Sequence, residues 1–280
     1  MFRLDKSTTE NSFIPMTSIS NGLGIEVVPD IYSYTIQIVN VAFIGHSENP
    51  YDWILVDTGM PNSAEEIIKA SESRFGLSAR PKAIILTHGH FDHIGSITDL
   101  VKHWGVKVYA HKDELPYLTG KQNYPDPDWT VEGGAIAKIS KFFPNECVNI
   151  ECVELNSTGI IEELPGWRWI HTPGHTPGHI SLFRDSDRSL IAGDAFITVR
   201  QDSLFKVLTQ DFEINGPPRY YTTDWQASWE SVKKLAALQP RLALTGHGLP
   251  ATTDDLSKEL YNLADNFEII AIPKHGKYVH

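Results

Sequence analysis

Two cysteines in 280 residues exclude one large class at once. A pair of thiols cannot supply the staple framework of a disulfide-rich secreted domain. Four residues separate Cys147 from Cys152, which would set them on opposite faces of a strand, so no bridge between them is expected. Long apolar runs are missing too. Nothing approaches the roughly 20 consecutive apolar residues of a membrane span. The opening Met1-Phe2-Arg3-Leu4-Asp5-Lys6-Ser7 has no apolar segment of signal-peptide type. These absences predict a soluble, cytoplasmic protein without a membrane partner. Clustered Lys and Arg are also lacking, and the net charge is −11. Phosphate backbones need grouped cations, so nucleic acid is not an expected partner. A small neutral or cationic substrate is compatible with that charge.

What is present is enough apolar residue, 41 %, for a sizeable core. The length suits one large α/β domain or two smaller ones. No linker or low-complexity segment divides it, so residues 1–280 read as a single domain.

The chemistry concentrates in Thr87-His88-Gly89-His90-Phe91-Asp92-His93. Three imidazoles and a carboxylate fall within six residues. The preceding Lys82-Ala83-Ile84-Ile85-Leu86 reads as a buried strand, which puts the ligands on the loop leaving its end. Open α/β sheets place their sites there. His88 and His90, two apart, can converge on one ion from a turn. Asp92 and His93 point elsewhere, which suits a second ion. Three later segments repeat the pattern of apolar strand, small residue, ligand. They are Trp169 to His179 with His175 at its centre, Leu190-Ile191-Ala192-Gly193-Asp194, and Leu242-Ala243-Leu244-Thr245-Gly246-His247.

In its ordered set His88-x-His90-x-Asp92-His93, His175, Asp194 and His247, the chain resembles the metallo-β-lactamase-fold superfamily of hydrolases over about residues 24 to 250. The resemblance implies an α/β fold, a four-layer αββα sandwich with metals at one edge. It implies His88, His90 and His175 on one metal and Asp92, His93 and His247 on the other. Asp194 would bridge them together with a water or hydroxide. Asp57, in Val56-Asp57-Thr58-Gly59, would orient a ligand loop from behind. Independently, a nitrogen-rich set without thiolate suits two divalent metal ions, zinc first, then iron, manganese or cobalt. Two ions roughly 3.5–4 Å apart generate a nucleophile from water and polarise a carbonyl or phosphoryl oxygen. Asp92 is placed to shuttle a proton to the leaving group.

Other histidines read as ordinary. His171 and His179 flank His175 in structural or supporting roles. His46, His103, His111, His275 and His280 have no ligand partners near them in sequence. Asp194 could also cap a helix, and Asp57 could simply make a turn.

Strands are expected at Gly24–Val28, Tyr34–Ile44, Asp52–Val56, Val106–Ala110, Gly159–Glu162, Trp167–Ile170, Ile180–Phe183, Ser189–Ala192 and Leu242–Leu244. Helices are expected from Asn62, from His93 to Trp104, from Thr223 to Leu238, and from Thr253 onward, after a polar N-terminal arm. Two aromatic-rich stretches, Leu115 to Phe143 and Phe196 to Trp225, fit neither pattern. The second directly follows Asp194 and is favoured as a substrate wall, with Phe196, Tyr220 and Tyr221 the candidate contacts. Aromatic lids are also common dimer contacts, which leaves a homodimer open.

Within the family, the resemblance narrows the chemistry. β-Lactamases generally lack the bridging carboxylate. Hydroxyacylglutathione hydrolases carry a long helical domain after the last ligand, and only 33 residues follow His247 here. RNA-processing members carry large insertions or basic exosites. Flavodiiron members replace the second motif histidine with Glu. The remaining arrangement is most similar to N-acyl-homoserine lactonases and related esterases, which implies hydrolysis of a carboxyl ester, lactone or related carbonyl bond. One departure stands out. Several such lactonases have a Tyr shortly after the bridging Asp that helps polarise the carbonyl, whereas this chain reads Ala195-Phe196-Ile197-Thr198. The alternatives are a phosphodiesterase on the same dinuclear site, a mononuclear iron persulfide dioxygenase, and a non-catalytic scaffold that keeps the fold. The retention of Asp92, His93 and His247 together speaks against the last two.

Overall fold

The computed structural model describes residues 17–145, 148–252 and 255–280. The expected N-terminal arm and Cys147 lie outside the described residues, and Cys152 is a free thiol. Apolar β-branched runs broken by short turns build a seven-stranded sheet. Its strands are β1 (Gly24–Val28), β2 (Ile31–Ile36), β3 (Val39–Ile44), β4 (Ile54–Val56), β5 (Ala83–Ile85), β6 (Lys107–Ala110) and β7 (Val153–Glu154), side by side in that order. The first four pair antiparallel, as their short connections require, and β4 to β7 run parallel. The parallel crossovers carry helices α1 (Ala64–Phe75), α2 (Phe91–Ile94) and α3 (Ile97–Trp104). After β6 come α4 (Leu115–Leu118) and α5 (Gly134–Ile139).

The second half forms a smaller sheet from β8 (Trp167–His171), β9 (Ile180–Arg184) and β10 (Ser189–Gly193). A hairpin of β11 (Ile197–Val199) and β12 (Phe212–Asn215) flanks α6 (Leu204–Thr209). Then α7 (Trp225–Ala237) leads to β13 (Leu242–Thr245), which pairs parallel to β10. The chain closes with α8 (Leu256–Asp265) and α9 (Phe267–Ile270).

Three buried clusters show how the layers stack. Phe43, Leu55 and Ile84 face Ile67, Leu100 and Trp104 of the first helices. On the opposite sheet face Ile44, Ile54 and Ile85 meet Leu182, Ile191 and Leu244 of the smaller sheet. That sheet's outer residues, Phe183, Leu190 and Ala243, pack on Val232, Leu235 and Leu260 of α7 and α8. The alternation of inward and outward residues along each strand thus yields helix, sheet, sheet, helix. This is the four-layer αββα sandwich.

Several boundaries differ from the sequence reading. The expected strand Tyr34–Ile44 is a hairpin, because Gln37 adopts φ 57° and turns the chain back on itself. The expected helix from His93 to Trp104 is two pieces. Gly95 donates its N–H to the Gly59 carbonyl, and a Cβ there would lie 2.2 Å from the Pro61 nitrogen, so the chain breaks where the two backbones meet. Gly159–Glu162 contributes only an isolated bridge from Ile160 to Arg168. The last long helix runs from Leu256 to Asp265, and its expected start at Thr253 lies outside the described residues. No helix among the described residues is long and apolar enough to cross a membrane.

Candidate metal centre

The ligand candidates leave the C-terminal ends of strands in both sheets. His88 and His90 follow β5, and Asp92 and His93 open α2. His175 sits in the loop between β8 and β9. Asp194 follows β10, and His247 follows β13. All seven side chains are buried. They form three overlapping groups: His88, His90 and His175; His88, His93 and Asp194; and Asp92, His93 and His247.

Hydrogen bonds on the far side of each ring decide which nitrogen faces inward. Thr87 donates its hydroxyl to Asp57, so its oxygen is left to accept from His88 Nδ1, at 3.0 Å. His93 Nδ1 donates to Asp57 Oδ2 (2.9 Å) and His247 Nδ1 to the Ile38 carbonyl (2.8 Å). The Thr222 hydroxyl is spent on Pro218, so His175 Nδ1 donates to its oxygen at 3.2 Å. These four rings therefore turn Nε2 toward the centre. His90 is turned the other way, with Nδ1 2.9 Å from His175 Nε2.

These residues fit divalent metal ions. His88 Nε2, His93 Nε2 and Asp194 Oδ1 are buried with no hydrogen-bond partner. Unpaired buried polar atoms are costly, and facing lone pairs repel; a cation between them resolves both. Asp194 Oδ2 lies 3.5 Å from His175 Nε2, 3.6 Å from His93 Nε2 and 3.3 Å from His247 Nε2. Asp92 Oδ2 lies 3.4 Å from His247 Nε2. A tetrahedral ion with metal–ligand bonds of about 2.0–2.1 Å needs ligand–ligand edges of about 3.3–3.4 Å, close to these separations. Charge is arranged to match. Burial pushes His90 down to about 3, aided by neighbouring His93, so it stays neutral with its lone pair free. Burial alone would raise Asp194, but His247 and His93, themselves held protonated by Asp194 and Asp92 despite their burial, keep it well below the usual carboxylate range; a divalent ion would take the place of their Nε2 protons.

Supporting contacts surround the centre. Asp57 adopts φ 61°, a strained conformation for a non-glycine residue. It is held there because its carboxylate accepts the Thr87 N–H and hydroxyl, both at 2.7 Å, as well as His93. His179, expected to be structural or supporting, accepts the Asp194 N–H on Nε2 at 2.9 Å and meets the Thr172 hydroxyl oxygen through Nδ1. Both its nitrogens are thereby occupied. Glu114 was not singled out in the sequence. It is fully buried and accepts from Gly89, Tyr124, Thr176 and Gly178. Burial raises its carboxyl to about 7, against the pull of those donors. The only sequence signal is an acidic residue just past β6, the strand paired with the motif strand β5.

Of the three candidate substrate residues, Tyr221 stacks on His90, with centroids 4.2 Å apart and 25° between planes. Its hydroxyl points away and donates to the Pro144 carbonyl. Tyr220 donates to Gln201 Oε1 at 2.5 Å. Phe196 is placed differently from the expectation, because its side chain is 0 % exposed in the core between the smaller sheet and the helices. The bend between β10 and β11 carries it there. Tyr124, in the other aromatic stretch, lies 4.7 Å from the His90 ring. A separate group, His111, Asp113 and His171, also comes together. Its two imidazoles stack at 4.2 Å and 17°, so their in-plane lone pairs run side by side and do not converge. His171 Nε2 is further engaged with the Pro177 carbonyl.

The sequence matches the family model of the Metallo-beta-lactamase superfamily over residues 34–247. The chain belongs to that superfamily, and is a metallo-hydrolase. It is 46 % identical over 260 residues to Probable metallo-hydrolase YflN of Bacillus subtilis (strain 168), covering 92 % of this chain and 98 % of that one. It is 30 % identical over 142 residues to Hydroxyacylglutathione hydrolase GloC of Haemophilus influenzae, covering 50 % of this chain and 59 % of that one. Among solved structures, metallo-beta-lactamase family protein TTHA1429 from Thermus thermophilus aligns with a TM-score of 0.59 at 21 % identity, over 86 % of this chain and 80 % of that one. That likeness concerns the fold.

Proposed function

We propose that this metallo-hydrolase holds two divalent ions, zinc in the first instance, and cleaves a carboxyl ester, lactone or related carbonyl bond. The observation that carries the reading is the position of Asp194 Oδ2. It lies within 3.6 Å of ligand nitrogens belonging to both halves of the centre, His175 on one side and His93 and His247 on the other. A carboxylate so placed suits a bridge between two ions. The ions would supply an activated water and polarise the substrate carbonyl.

The chain's own residues do the rest. His88, His90 and His175 would hold one ion, and Asp92, His93 and His247 the other. Asp57 fixes the His93 ring, and His179 fixes the backbone of Asp194. Asp92 is buried beside His247 and His93, where it could take the proton and pass it to the leaving group. The Tyr221 ring walls the His90 side. The phenol expected from lactonases after the bridging carboxylate is absent from Ala195-Phe196-Ile197-Thr198. The hydroxyls of Tyr220, Tyr221 and Tyr124 are engaged by Gln201, the Pro144 carbonyl and Glu114, so carbonyl polarisation would fall to the ions. The net charge of −11 favours neutral or cationic substrates over polyanionic ones.

The test is a substrate panel on zinc-loaded enzyme: a p-nitrophenyl carboxyl ester, an acyl-homoserine lactone, a thioester and a bis-p-nitrophenyl phosphodiester. Turnover of a carbonyl substrate at least tenfold above the phosphodiester supports the reading. Preference for the phosphodiester overturns it.

A further inference from the structure

We propose that Glu114 is the positioning residue of the three-histidine half of the centre, a clasp that ties the His88–His90 loop to the His175 loop. The inference rests on the dinuclear reading above. Glu114 stands where β6 gives way to α4, and its side chain is completely enclosed. One oxygen, Oε2, accepts the Gly89 N–H at 3.1 Å and the Tyr124 hydroxyl. Gly89 is the residue between the two ligands His88 and His90. The other oxygen, Oε1, accepts the Thr176 hydroxyl at 2.5 Å and the Gly178 N–H at 2.8 Å. Thr176 adjoins the ligand His175. One carboxylate therefore joins two loops that arise from different sheets.

A carboxylate offers about four acceptor positions, and all four are filled. All four partners are loop or aromatic groups and none is a ligand atom of the centre, which marks Glu114 as a positioning residue. The glycines on either side are shaped to the clasp. A Cβ at Gly89 would lie 2.6 Å from the Tyr124 hydroxyl oxygen, and one at Gly178 would lie 2.6 Å from the Glu114 nitrogen and 2.8 Å from its Cγ. Tyr124, which shares the Gly89 N–H at 2.9 Å, also packs against His90 and stacks on Tyr117 at 3.9 Å. The aromatic stretch after Leu115 is thus anchored to the same half of the centre. By contrast, Asp92, His93 and His247 are braced by Asp57 and the Ile38 carbonyl, with no bond to Glu114 among the described residues.

The substitution Glu114→Gln keeps the shape but places an NH2 group opposite two of the donors. Outer-sphere partners of metal ligands are commonly worth about 10–100-fold in metal affinity. The experiment measures cobalt(II) affinity by absorption titration in single-site backgrounds. In His247→Ala protein, where the three-histidine half is left to bind, Glu114→Gln should weaken cobalt by about 10-fold or more. In His175→Ala protein, where that half is crippled, it should change affinity by less than about 3-fold. Equal weakening in both backgrounds, or in neither, overturns the clasp. Thr176→Val and Tyr124→Phe, each removing one donor, should reproduce the asymmetry in smaller measure if the Gln variant folds poorly. Their failure to do so counts against the proposal. The unmodified protein is titrated alongside. One ion per chain contradicts the dinuclear reading, whereas two ions with no Glu114 asymmetry contradict only the clasp. One ion lodged in the Asp92, His93 and His247 set contradicts both.

Discussion

Asp57 Oδ2 and His93 Nδ1 meet at 2.9 Å, and the same carboxylate holds Thr87 through its backbone and its hydroxyl. A residue at the end of β4 therefore braces a candidate ligand from α2 and Thr87, which opens the candidate ligand loop after β5. The positive φ of Asp57 is the local cost of aiming it there. Asp57→Asn keeps the size but leaves an amide nitrogen facing a donor. Metal affinity should fall about 10–100-fold, read by competition with a chromophoric chelator. Affinity unchanged within a factor of about two would remove Asp57 from the account.

Gly246 gives a test that leaves every ligand in place. A Cβ there would stand 2.1 Å from Asp194 Oδ1 and 2.7 Å from His93 Cε1. Gly246→Ala should displace the shared carboxylate and lower bound metal from about two ions to one or fewer, with the circular dichroism spectrum retained. Full metal loading in that variant would show that Asp194 does not bridge.

The Tyr221 ring, not its hydroxyl, faces His90. Tyr221→Ala should reduce kcat/KM by about tenfold through loss of packing behind a ligand, and Tyr221→Phe should restore most of it. Equal losses in the two variants would assign the hydroxyl a chemical role.

Arg184 joins the sheets at their far edge. It donates to Asp30 Oδ1 at 3.1 Å and to Asp187 Oδ2 at 2.7 Å, and lies 4.9 Å over the Trp167 ring. Burial tends to raise Asp187, but the bonds from Arg184 and Ser189 prevail and set it at about 2, against an ordinary 3.8. A depressed carboxyl stabilises the fold above its unfolded value and loses that effect as pH falls through the folded one. Asp187→Asn should therefore cost about 1 kcal/mol at pH 7, allowing for its partial exposure, and the difference should shrink between about pH 4 and pH 2. Urea midpoints across that range check it. A difference independent of pH would point to packing instead of charge.

Much of the centre was legible because metal ligands need particular side chains at strand ends, and those patterns survive in one dimension. His88, His90, Asp92, His93, His175, Asp194 and His247 all converge as that grammar suggested. The layer order follows similarly from inward and outward alternation along short strands. What stayed hidden depends on meetings between distant segments. Beyond its place just past β6, nothing local marks Glu114, whose partners lie at Gly89, Tyr124, Thr176 and Gly178. The Gly95 break and the Gln37 turn were missed because close backbone approach and a positive φ overrode continuous apolar periodicity. Phe196 looked like a substrate contact from adjacency to Asp194, but the bend between β10 and β11 carries it into the core against the helix layer.

The most direct test of the dinuclear centre is metal content per chain, by mass spectrometry on protein purified without chelator or affinity metal and then reconstituted with zinc. About two divalent ions per chain are expected, falling to about one in both His175→Ala and His247→Ala. A single ion in the unmodified protein, iron above all, or no ion after reconstitution, would contradict it.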